Sequence, residues 1–178
     1  MRTNFVFTLT GPDRVGIVES VTRLFLARDG NVETSRMARL GGEFAMLMLV
    51  SLPDDQAAAL EKGVEELAGQ GYKVTLSLTS RPHGEARPGW LPYQVEVESA
   101  DHEGIIHQVA RYLSERGINI ESMETETSPA PLSGSPLFSM TAQVAVPPEL
   151  AGTGWEAALV AEGDRLALDI RVSPLQKQ

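Results

Sequence analysis

The chain predicts an α+β protein made of two copies of one βαββαβ unit, each an antiparallel sheet with its helices on one face. Three observations carry that expectation. Stretches alternating with period two are interleaved with stretches of helical period; a polar, Pro/Gly-rich break divides the chain; and the second half repeats the first.

Phe5 to Thr10 alternates and puts Phe5, Phe7 and Leu9 on one face, the pattern of a half-buried strand. A turn at Gly11-Pro12-Asp13 leads into a helix over Val15–Arg28, where Ile17, Val18, Val21, Leu24 and Phe25 recur at helical spacing and Asp29-Gly30 supplies a left-handed cap. Asn31–Leu40 and Phe44–Leu52 read as strands joined by a Gly41-Gly42 hairpin turn. Pro53-Asp54-Asp55 opens a second helix running to about Ala68, and Lys73–Thr79 reads as a closing strand. The unit therefore spans residues 1–80.

Residues 81–91 are polar, rich in proline and glycine and without hydrophobic period, as in a linker. The pattern then restarts over 92–173: a strand at Tyr93–Glu98, a helix at Gly104–Arg116, strands at Asn119–Thr127 and Leu137–Val146, a helix from Pro148 to about Val160, and a strand at Leu166–Val172. Residues 174–178 form a tail. An offset of 88 superposes Asp13 on Asp101, Gly16 on Gly104, Ile17 on Ile105, Val21 on Val109, Asn31 on Asn119 and Glu33 on Glu121 without a gap. Beyond the Ser128–Ser135 hairpin loop the offset becomes 94, and Phe44, Met46, Val50 and Pro53 fall on Phe138, Met140, Val144 and Pro147. The shift marks an insertion between two copies of one domain.

Composition narrows the function. In 178 residues, 15 Lys+Arg stand against 24 Asp+Glu, a net charge of −9 that repels a nucleic-acid backbone, so direct nucleic-acid binding is not expected. The absence of cysteine removes disulfides, thiolate metal sites and a cysteine nucleophile, and favours a reducing compartment, the cytoplasm. Neither a leader peptide nor a membrane span is read at the N-terminus. Glu103 and His107 stand four apart, but only three histidines exist and spacing offers no third ligand, so no metal is expected. No nucleophile elbow, phosphate loop or dinucleotide fingerprint occurs, so neither catalysis nor a cofactor is expected. Phe5, Phe7, Phe25 and Phe44 fall at core spacing rather than in a basic groove.

The repeated identities gather at one place: the turn from the first strand into the first helix, Gly11-Pro12-Asp13-Arg14-Val15-Gly16-Ile17 and Ser99-Ala100-Asp101-His102-Glu103-Gly104-Ile105, and the asparagine opening the second strand. A helix N-terminus presents unpaired N–H groups and a positive dipole end, which suit a carboxylate, and an aspartate beside it suits an ammonium group. The same residues also fit a simpler role, with Asp13 capping the helix and Gly16 packing it.

Asp13-Arg14-Val15-Gly16-Ile17 with Gly30-Asn31-Val32, and Asp101-His102-Glu103-Gly104-Ile105 with Ile118-Asn119-Ile120, resemble the ACT domain, and the resemblance covers both halves. It implies ferredoxin-like regulatory modules that bind amino acids between the first turn of one domain and the second strand of a neighbour. Carried over by position, it selects Asp13, Gly16, Ile17 and Asn31, and Asp101, Gly104, Ile105 and Asn119, as ligand-binding residues. The proline usual before the glycine is Val15 in one copy and Glu103 in the other, and Glu103 sets a negative charge beside the second turn. Among ACT proteins, a bare tandem with Thr10-Gly11-Pro12-Asp13-Arg14 near its start is most similar to the glycine cleavage system transcriptional repressor group. That implies a non-enzymatic, homo-oligomeric regulator responding to an amino acid such as glycine or serine and acting on a transcriptional activator by protein contact. The alternative is a detached regulatory subunit of an amino-acid or one-carbon enzyme.

Two further expectations concern assembly. The second strand carries Arg36 and Arg39 in the first copy but Glu124 and Glu126 in the other, so the two edges are expected to meet, within one chain or between two, the alternative being two rows of solvated edge charge. Ala45, Leu47 and Leu49 are apolar on the helix-free face where the other copy has Ser139, Thr141 and Gln143, so that face of the first domain is expected to be covered, by the other domain, a second subunit or a regulated partner.

Overall fold

The computed structural model of the protein describes residues 1–80, 87–131 and 134–175. The chain divides into two compact units, Met1–Glu85 and Ala86–Gln178. Of the expected linker, residues 81–86 lie outside the described residues, as do residues 132–133 of the hairpin loop and 176–178 of the tail.

Unit one runs β1 (Arg2–Pro12), α1 (Ile17–Leu26), β2 (Asn31–Leu40), β3 (Glu43–Pro53), a 3₁₀ turn (Asp54–Gln56), α2 (Ala57–Gly69) and β4 (Lys73–Leu78). Unit two runs β5 (Leu91–Ala100), α3 (Ile105–Glu115), β6 (Asn119–Pro129), β7 (Pro136–Val146), a 3₁₀ turn (Pro148–Leu150), α4 (Trp155–Arg165) and β8 (Asp169–Pro174). The sheets are antiparallel, ordered β2-β3-β1-β4 and β6-β7-β5-β8.

Alternation decides which face each strand buries. Phe5, Phe7 and Leu9 meet Met46, Met48, Val50 and Leu52 under Ile17, Val21 and Phe25 of α1 and Leu60 and Leu67 of α2. Phe7 and Phe25 cross edge to face, 5.2 Å between centroids. Unit two repeats this core with Val95, Val97, Met140, Ala142 and Val144 beneath Ile105, Val109, Leu113, Trp155 and Leu159.

Several boundaries depart from the sequence expectation. Gly11 and Pro12 belong to β1, paired with Phe44 and Glu43, because the antiparallel ladder continues past the alternating stretch. A Cβ at Gly11 would come within 2.7 Å of the Tyr72 ring, so strand and ring approach closely only because the residue is glycine. Residues 148–160 do not form one helix. Gly152 and Gly154 take φ of 72° and 77°, breaking the chain after the 3₁₀ turn, and α4 starts at Trp155 and reaches Arg165. Leu166–Leu168 are therefore the exit from α4 rather than strand, and β8 extends into the expected tail, where Pro174 pairs with Tyr93. Arg36 and Arg39 do not form a row either. Arg36 pairs with Leu47 on the helix-free face, whereas Arg39 pairs with Phe44 on the opposite one.

Candidate functional site

Both first turns are built alike. Gly16 starts α1 with φ 89° and ψ 1°, Gly104 starts α3 with φ 91° and ψ −2°, and no side chain caps either helix. This left-handed conformation is what requires glycine there. Gly16 is not a packing glycine, since an added Cβ would meet nothing within 4 Å; at Gly104 it would meet only Gln108 Nε2, at 3.9 Å. Asp13 is not a helix cap. Its backbone N–H donates to Gly42 O at 3.0 Å and its carboxylate accepts from Arg39 Nε at 2.8 Å, tying the turn to the end of β2. Arg14 adds a cation–π contact, 5.5 Å from the Tyr72 ring centroid.

The second turn keeps only the backbone part of this arrangement. Asp101 N–H donates to Pro136 O at 3.0 Å, but the residue in the place of Arg39 is Thr127, opposite Phe138, and among the described residues Asp101 has no ion pair. Ile17 and Ile105 are 6% and 2% exposed, so their side chains seat the helix in the core; Ile17 N–H is taken by Arg14 O at 3.3 Å. Val15 and Glu103 are exposed beside the turns.

Asn31 and Asn119 stand elsewhere. Asn31 is level with Ser51 and Asn4, while the turn follows Pro12, eight strand residues or about 27 Å along the sheet. In unit two Asn119 is level with Pro92 and the turn follows Ala100, the same separation. The asparagine and the turn of one domain therefore do not converge.

Each asparagine is instead joined to a glutamate that sequence reasoning matched but gave no role. Asn31 Nδ2 donates to Glu33 Oε1 at 3.0 Å, and Asn119 Nδ2 donates to Glu121 Oε1. Glu33 and Glu121 occupy the extra residue where the β2–β3 and β6–β7 registers shift, two residues from the asparagine and on its face of the strand. In unit one Ser51 Oγ also donates to Glu33 at 2.6 Å, and Arg2 donates to Ser51 Oγ at 3.2 Å and Ser51 O at 2.7 Å. The repeated identity of Glu33 and Glu121 was the signal for this pair.

Among the described residues no three His, Asp or Glu side chains could hold a metal ion, and no helix is long and apolar enough to cross a membrane. The two turns present backbone donors to an anion, and the two Asn–Glu pairs present acceptors to a cation.

Comparison with known proteins agrees with this architecture. Models of the ACT domain match residues 3–75 and 93–150. The chain belongs to the ACT-domain family, with two such domains in tandem. It is 31% identical over 128 residues to the glycine cleavage system transcriptional repressor of Escherichia coli strain K12, a match covering 70% of this chain and 65% of that protein. A crystal structure of an unknown protein from Galdieria sulphuraria, 35% identical, superposes with a TM-score of 0.86 over 99% of this chain and all of the other. A crystal structure assigned provisionally as a glycine cleavage system transcriptional repressor superposes with a TM-score of 0.72 at 23% identity, over 99% of each chain, and shares the fold.

Proposed function

We propose that the chain is a non-enzymatic regulator that responds to an amino acid such as glycine or serine and acts by protein contact on a transcriptional activator of the glycine cleavage type. One observation carries the reading: both copies repeat an uncapped, glycine-started helix N-terminus and, apart from it, an Asn–Glu pair on a bulge. These are complementary to the two ends of an α-amino acid. The similarity to a repressor of the glycine cleavage system supports the pathway.

In this mechanism the ligand carboxylate lies on the first helical turn, at Gly16, where Asp13 holds the Arg39 guanidinium, or at Gly104 in the second copy, beside Asp101. Its ammonium meets Asn31 with Glu33, or Asn119 with Glu121, from a neighbouring ACT domain. The first turn is the better carboxylate site, because Arg39 adds a cation there and Glu103 adds an anion at the second. Ligand then favours the arrangement in which two domains are apposed and changes the surface offered to the activator.

A thermal-shift screen against the common amino acids tests the reading, since a ligand bound only by the folded state raises the melting temperature. The expected result is a selective rise for one or a few amino acids, lost in Asn31→Ala and in Asp13→Ala. No rise with any amino acid overturns it.

A further inference from the structure

The helix-free sheet faces of the two domains differ in their side-chain chemistry. In domain one, strand pairing places Arg36, Leu40, Ala45, Leu47 and Lys73 on this face. Leu40 is 76% and Leu47 49% exposed, although neither belongs to the core. The cross-strand row Ala38, Ala45, Thr10 is built of small side chains and floors a cavity of about 520 Å³ between Leu40 and Lys73. The cations Arg36 and Lys73 have no ion-pair partner among the described residues.

The same rows in domain two are acidic. Glu126, Ser139, Glu98 and Asp169 replace Ala38, Ala45, Thr10 and Lys73, and Glu124 and Glu96 stand one row along. Glu98 sits directly opposite Asp169, a like-charge cross-strand pair that destabilises a sheet. Arg171 lies 3.6 Å from Glu98 and 3.4 Å from Asp169, one cation among five carboxylates. Long acidic side chains thus stand where the other domain has a trough bordered by Lys73 and Glu43, with Arg36 one row along.

We propose that the helix-free face of domain one docks on the helix-free face of domain two of a second copy of this chain, the reciprocal contact closing a two-fold dimer. Opposite charge selects this pairing over like faces, where Glu would meet Glu or Arg would meet Arg. The closed symmetry makes the contact twice and leaves no unpaired face to propagate. Each face measures about 19 by 20 Å, so the two contacts bury about 1,500 Å² in all, within the range of stable interfaces. The inference uses none of the ligand-binding residues, so its failure leaves the amino-acid reading standing.

Sedimentation velocity of the full chain across a wide concentration range tests it. The expected species has twice the 19.2 kDa chain mass and dissociates as salt is raised. Leu47→Asp and Glu124→Arg, on different domains, each weaken the dimer at least tenfold while the circular dichroism spectrum is unchanged. Arg36→Glu does the same, and adding Glu124→Arg with Glu126→Arg to it restores association. A monomer at every concentration overturns the inference. So does a dimer that none of the single variants weakens.

Discussion

Replacing Gly104 with alanine separates a glycine kept for its backbone from a glycine kept for a ligand's approach. At φ 91° an L-residue pays about 1–2 kcal/mol in the left-handed region. The new Cβ touches only Gln108 Nε2 at 3.9 Å, so no steric term is added. A smaller loss of unfolded-state entropy offsets part of this, about 0.4–1 kcal/mol. The net expectation is a loss of about 1 kcal/mol, or about 4–8 °C in the melting temperature of a domain this size. Both tryptophans, Trp90 and Trp155, belong to the second unit, and Trp155 is only 3% exposed, so fluorescence follows that unit's unfolding. Gly104→Ala lowers the fluorescence midpoint, and Gly16→Ala lowers the circular dichroism transition of the first unit by a similar amount. Gly69, the last residue of α2, also has open space around it but no positive φ, and Gly69→Ala raises stability instead. If Gly104→Ala and Gly16→Ala melt at or above the parent temperature, the conformational argument is refuted.

Arg39→Ala removes an ion pair between side chains 68% and 34% exposed, so the melting temperature changes little, by less than about 1 kcal/mol in stability. Amino-acid affinity measured by calorimetry falls, because the first turn loses its added cation; unchanged affinity places the carboxylate elsewhere. Tyr112 is buried and donates from its hydroxyl to Trp155 O at 2.9 Å, so Tyr112→Phe costs about 1 kcal/mol by urea titration. Burial raises the Tyr112 phenol above its usual value; Arg116 opposes this, while Glu162 and Glu156 add to it. Tyr93 is raised by burial and then by the charge and hydrogen bond of Glu156. Groups raised on folding stabilise fully below their unfolded value near 10, and that contribution is lost as pH climbs through the raised values. Alkaline unfolding followed by Trp155 fluorescence therefore begins above pH of about 10 and flattens when both tyrosines are phenylalanine.

The repeat, the strand faces and the core helices were legible because each rests on a period: Phe5, Phe7 and Leu9 at two, Ile17, Val21 and Phe25 at four. What depends on register was not. The Asp13–Arg39 pair joins a turn to a residue 26 positions on, and only the β2–β3 ladder brings them together. Glu33 and Glu121 stand two residues from their asparagines, on the face alternation gives, but nothing in the pattern announces the bulges there, after which the period slips by one. The start of α4 was missed because Pro148 resembles a helix opening, while the left-handed Gly152 and Gly154 that end that turn lie four and six residues further on.

The separation of the site's two halves carries a consequence for regulation. A bound amino acid spans far less than the roughly 27 Å between the turn and the Asn–Glu pair of one domain. A ligand held by both must therefore touch two domains, and its binding energy is at the same time energy of domain apposition. Linkage makes the coupling reciprocal: whatever holds the domains together raises ligand affinity by the factor with which ligand tightens the apposition. Within one ACT domain the two groups stand too far apart to hold the same small ligand. The divergence at Arg39, Thr127 and Glu103 makes the two turns unequal, and in the proposed mechanism the first is the one favoured for the carboxylate.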